Sequence, residues 1–158
     1  MATNLKSLAK DTAIYGVSSI FGRFLNYLLV PLYTATLSAA SGGYGVITNL
    51  YAWTALLLVI LTYGMETTFF RFANKADEDA EKVYSTTLVS VGATALMFVA
   101  AVVGFLPSIS SALGYADHQS WVVSMAIIVA LDAFQAIPFA YLRYKKQPIK
   151  FAGLKLAF

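Results

Sequence analysis

The stretch SSIFGRFLNYLLVPLYT, residues 18–34, decides the fold class. It is apolar and long enough to cross a bilayer, yet Arg23 sits near its middle. An arginine at the centre of a membrane helix costs about 2.5–3.5 kcal/mol on insertion scales. Each Leu, Ile, Phe or Val neighbour returns only about 0.3–0.6 kcal/mol. The charge is tolerated, not free.

Working outward, the whole chain has the same character. It has 158 residues, 59% hydrophobic and 12% charged, with a mean hydropathy of +0.69. Soluble domains carry about twice that charged fraction. The apolar residues fall into long blocks, which reads as an all-α polytopic membrane protein. Barrel strands need only about 10 residues, and these runs are far longer. Four windows have the roughly 20 apolar residues of a span: 12–37, 44–70, 83–106 and 119–142. A fifth apolar run starts at 150 and is cut by the end of the sequence, so the chain reads as the amino-terminal part of a longer membrane domain. The first run is too long for a signal peptide, and Arg23 interrupts it. TNLKSLAKD before it reads as a short interfacial helix capped by Thr3 or Asn4.

The net charge is +3, but no basic stripe interleaves with aromatics on a soluble module, so nucleic acid is not the expected partner. Lys6, Lys10, Arg71, Lys75, Lys82, Arg143, Lys145, Lys146 and Lys150 all fall on one side of the four spans. The connections on the other side have none. By the positive-inside rule the amino terminus and the even-numbered connections are cytoplasmic. There are no cysteines, which excludes disulfides, thiolate metal sites and a cysteine nucleophile. His118 is the one histidine, in a polar connection. Neither a phosphate-binding glycine loop nor a metal-ligand cluster is legible, so neither an enzyme, a cofactor nor a metal is expected.

Intramembrane polar groups are then the candidate site. Tyr15, Ser19, Arg23, Asn26, Tyr27 and Thr34 recur at three-and-four spacing and share one helix face. Thr62 and Glu66 stand one turn apart in the second window, and Asp132 and Gln135 share a face in the fourth. At a rise of 1.5 Å per residue, Arg23 lies ~16 Å and Asp132 ~15 Å from the cytoplasmic ends of their helices, and Glu66 ~7 Å. Two readings stay open: a buried Arg23–Asp132 ion pair holding helices in register, or Arg23 contacting an anionic headgroup with Asp132 tuning it or binding a cation. Glu66 and Arg71 read as an interfacial pair. Pro31 and Pro138 predict bends in the first and fourth helices. Small residues four apart (Ser18/Gly22, Ala100/Gly104, Ala126/Ala130, Ala136/Ala140) predict close helix contacts.

LKSLAKDTAIYGVSSIFGRFLNYLLVPLYT, YGVITNLYAWTALLLVILTYGMETTFFRFANK and LDAFQAIPFAYLRYKKQPIKFA together resemble bacterial polysaccharide-biosynthesis flippases. These are the O-antigen flippase-like branch of the multidrug/oligosaccharidyl-lipid/polysaccharide exporter superfamily. The resemblance covers nearly the whole chain. It implies four helices and the start of a fifth from the first lobe of a two-lobe bundle in the bacterial inner membrane. It also implies alternating access for a lipid-linked oligosaccharide of the polyprenyl pyrophosphate type. Arg23 sits where related flippases carry a first-helix arginine in the central cavity, which Ser19, Asn26 and Tyr27 would line with it. Arginine suits a pyrophosphate because its planar fork binds phosphate oxygens bidentately. Asp132 and Glu66 stay candidates for an ion-pair or cation site. A cation-coupled drug exporter of the same superfamily and a small four-helix scaffold are the competing readings.

Overall fold

The computed structural model describes residues 5–37, 43–75 and 77–157, with the side chains of residues 5–11, 18, 22, 23, 25, 26 and 157 outside the description. The described residues form helices and turns and no strand. In chain order these are α1 (Leu5–Thr36), α2 (Gly43–Thr62), α3 (Met65–Ala73), α4 (Ala80–Gly104), α5 (Leu106–Ala112), a 3-10 turn (Ala116–His118), α6 (Gln119–Tyr144) and α7 (Pro148–Ala157).

Three stretches are long and apolar enough to cross a membrane: Gly43–Ala73, Ala80–Gly104 and Ala116–Tyr144. They contain the second window, nearly all of the third and the whole of the fourth. The first window falls on α1, whose described residues include the apolar stretch Thr12–Phe21. The polar leader does not form a helix of its own. Its residues from Leu5 are the first turns of α1, because nothing between Lys10 and Thr12 breaks the ladder. The expected caps, Thr3 and Asn4, lie outside the described residues. The apolar run from 150 lies on the short helix α7, which begins at Pro148, a residue suited to a first helical turn because its missing N–H would have no partner there.

The chain divides into two compact units, residues 1–47 with 141–158, and residues 48–140. In the first, α1 packs on α7. Tyr15 meets the buried Phe151 edge-on at 5.0 Å, and Arg143 lies 6.0 Å over the same ring. Ala13, Ile14, Val17, Phe21, Ala152 and Leu156 line an open apolar groove beside this contact.

The second unit has its core between α4 and α6. Val91 and Ala95 on α4 meet Val129, Ala130, Ala133 and Ile137 on α6, with Leu61 of α2 against them. Gly92 lets the helices close: a Cβ there would lie 3.3 Å from the Phe134 ring. Of the small-residue pairs, Ala126 and Ala130 are buried as expected. Ala100 and Gly104 are instead exposed. Asp79 starts α4 by accepting the Glu81 amide at 2.9 Å, an N-cap worth about 1 kcal/mol. The connection after α4 is helical too: Pro107 sits in the first turn of α5.

The second window is not one helix. α2 stops at Thr62 and α3 starts at Met65, with Tyr63 at φ 30° and Gly64 at φ 71° between them. Thr62 and Glu66 are therefore not one turn apart on a shared helix. The left-handed pair redirects the chain so that Phe69 and Ala73 of α3 are buried, with the Tyr84 ring of α4 6.4 Å from Phe69.

Candidate functional site

The polar groups on α6 meet as their spacing predicts. Gln135 donates through Nε2 to Asp132 Oδ1 at 2.6 Å, and both residues are half-buried. The amide holds the carboxylate toward its own helix face. Three residues further on, Pro138 has no N–H to give the Phe134 carbonyl. A backbone acceptor therefore opens one residue from Gln135. On α1, Pro31 does the same for the Tyr27 carbonyl. Both helices continue through their prolines.

Glu66 stands in the first turn of α3 and Arg71 in the last, each at the helix end that its charge suits. Glu66 is half-buried and Arg71 exposed. Around the preceding break, the backbone is secured locally. The Tyr63 amide donates to the Val59 carbonyl at 3.2 Å, and the Thr68 amide to that of Gly64 at 3.0 Å. Thr62 Oγ1 donates to the Leu58 carbonyl at 2.8 Å. The Tyr63 hydroxyl reaches α4, 2.9 Å from Ser90 Oγ and 3.4 Å from Thr94 Oγ1. Sequence reasoning missed this hydroxyl cluster. Its available signal was Ser90 and Thr94, one turn apart in an apolar run.

On α1, the Ser19 hydroxyl donates to the Tyr15 carbonyl at 2.8 Å, so its proton is engaged by its own helix. Tyr27 is 74% exposed, with Phe24, Leu28 and Leu32 exposed around it. Arg23 and Asn26 are placed on α1 by its backbone, while their side chains lie outside the described residues. The structure thus joins Asp132 to Gln135. It places Glu66 on the far side of a helix break from Thr62.

At the other end of α6, Trp121 stacks on His118 at 4.0 Å. Tyr115 donates its hydroxyl to Asn49 Oδ1 of α2 at 3.2 Å.

Residues 8–147 match the family model of polysaccharide biosynthesis proteins. The chain belongs to that family. The match takes in α1 from its fourth residue, α2 to α6, and every candidate residue named above. No curated protein and no solved structure matches the chain. Membership joins the fold to a role: a polysaccharide biosynthesis protein with helices long and apolar enough to cross a membrane.

Proposed function

We propose that this polysaccharide biosynthesis protein is a flippase, moving a lipid-linked oligosaccharide across the bacterial inner membrane and making no covalent change to it. The observation that carries the reading is the family match over helices of membrane length. In this reading α1 is a fourth span, α7 begins a fifth, and residues 1–158 contribute to the first lobe of a two-lobe bundle with a cytoplasmic amino terminus. Arg23 holds the polyprenyl pyrophosphate, and Ser19, Asn26 and Tyr27 line the path beside it. The Tyr27 carbonyl that Pro31 leaves open adds an acceptor for sugar hydroxyls on the same stretch. Asp132, oriented by Gln135, and Glu66 serve as an ion-pair or cation site.

The test compares protein level and lipid-linked sugar translocation in the full-length protein. Arg23→Ala should abolish translocation at normal level, while Arg23→Lys keeps part of it, since a lysine supplies charge without the bidentate fork. Removing one partner of a buried pair costs about 3–5 kcal/mol. If Arg23 only paired with Asp132, both single truncations would lower protein level and the double truncation would restore it. A double truncation that translocates as well as the unsubstituted protein overturns the substrate role.

A further inference from the structure

The turn between α6 and α7 combines an unbalanced positive charge with a lysine in a left-handed backbone conformation. Arg143, Lys145, Lys146 and Lys150 fall within eight residues, and the sequence contains no Asp or Glu after Asp132. The α3–α4 connection carries Arg71, Lys75 and Lys82, but four acids lie among them: Asp77, Glu78, Asp79 and Glu81. One segment neutralises itself, and the other has only positive charge to offer.

The helix end is closed by a Schellman motif. The Gln147 amide donates to the Leu142 carbonyl at 3.0 Å and the Lys146 amide to that of Arg143 at 3.1 Å. This closure needs a left-handed residue, and it is Lys146, at φ 53°. The same motif closes α5, where the Tyr115 and Gly114 amides donate to Ser110 and Ser111. There the left-handed residue is Gly114, which adopts that conformation without strain. A lysine in the glycine position strains the backbone and places an ammonium at the tip of the turn.

The helix ends alone do not use this much charge. A helix carboxy terminus presents about half a negative charge, and the amino terminus of α7, two residues after Lys146, presents about half a positive one. The position is right for lipid. The 26 residues of α6 extend ~39 Å against a hydrocarbon core of ~30 Å, so the turn after Tyr144 lies at headgroup level. Lys145 lies 5.3 Å over the Tyr141 ring, while Lys146 and Lys150 are exposed.

We propose that the α6–α7 turn binds the phosphate headgroups of anionic membrane phospholipids, with Lys146 as the central cation and Lys145 and Lys150 beside it. The site needs no sugar substrate, so it stands or falls separately from the export reading. The test measures lipid retained by the chain in native mass spectrometry, with phosphatidylglycerol titrated against phosphatidylcholine. Wild type should prefer phosphatidylglycerol, and each lysine removed should lower retention roughly five-fold. Lys146→Gly is the decisive variant, because it removes the charge and relieves the backbone. It should lose phosphatidylglycerol while unfolding no earlier than wild type. Lys75→Gln with Lys82→Gln should leave retention unchanged. The proposal is overturned if Lys146→Gly, or the triple Lys145→Gln, Lys146→Gln, Lys150→Gln, retains phosphatidylglycerol like wild type. It is also overturned if wild type holds phosphatidylcholine equally well. A preference of this turn for polyprenyl pyrophosphate over phosphatidylglycerol would overturn it too, by moving the site to substrate handling.

Discussion

α6 contains a proline and is continuous; the Gly43–Ala73 stretch contains none and is broken. The difference shows what it takes to interrupt a membrane-length helix. Pro138 removes one ladder bond and adds one steric conflict, both confined to the preceding turn. The face of α6 through that turn is packed, with Ala133, Ile137 and Ala140 all buried. Contacts on either side of the proline hold the axis. Tyr63 and Gly64 are themselves exposed, and both adopt positive φ. A partner element, reached through the Tyr63 hydroxyl, fixes the new direction.

The break also changes what the second unit presents. An unbroken helix would carry Phe69 and Ala73 onward along the axis of α2. The turn at Gly64 instead sets them on α4, and makes Glu66 a first-turn residue with helix amides beside it. The broken element depends on anchors beyond the break, and the continuous one on packing along its length.

The largest expected effect follows from that dependence. Phe69 is fully buried, with the rings of Phe70 and Tyr84 at 5.5 and 6.4 Å. Phe69→Ala should destabilise the chain by about 3 kcal/mol, the low end of the range for such truncations. Hydrogen exchange should rise in α3 before it rises in α6. Uniform exchange across both would mean that α3 is not held by this anchor.

The next effect sets the break directly against the proline. Gly64 has open space around the position of a Cβ, so any cost of substitution is conformational. Gly64→Val should lose roughly 1–2 kcal/mol through its left-handed backbone. Pro138→Ala restores a donor to the Phe134 carbonyl and should lose nothing in unfolding measurements. If the alanine variant proves the less stable of the two, the proline is structural and the comparison reverses.

How much of this was legible depended on whether local chemistry or a distant partner decided each feature. The window 119–142 matches α6 to within two residues at its end, because polar connections bound a strong apolar run. Asp132 and Gln135 were legible as a pair because i, i+3 spacing alone brings them together. The Tyr63–Gly64 break was not legible. TYGMETT lies in a hydrophobic run, glycine is common in membrane helices, and the hydroxyls that secure the turn come from α4, 27 and 31 residues later. Ser19 shows the opposite failure. Its spacing put it on a polar face, but a serine hydroxyl in a helix can return to the carbonyl four residues back, and this one does.

The smallest effect tests whether the broken element is held from the side. Tyr63→Phe removes the hydroxyl that lies 2.9 Å from Ser90 and 3.4 Å from Thr94, and leaves the ring and backbone unchanged. Interhelical hydrogen bonds in membranes average about 0.6 kcal/mol, because polar groups find other partners in the unfolded state. Stability should therefore fall by about that amount. Ser90→Ala should lose a similar amount, and the double variant little more than either, since one bond is removed in each case. Additive losses would show that Tyr63 and Ser90 act separately. The direction of α3 would then be set by the left-handed backbone and the Phe69 anchor alone. A cycle that closes with strong coupling, and Thr94→Ala having a weaker effect at its longer distance, would make the hydroxyl contact the lateral hold that α6 replaces by packing.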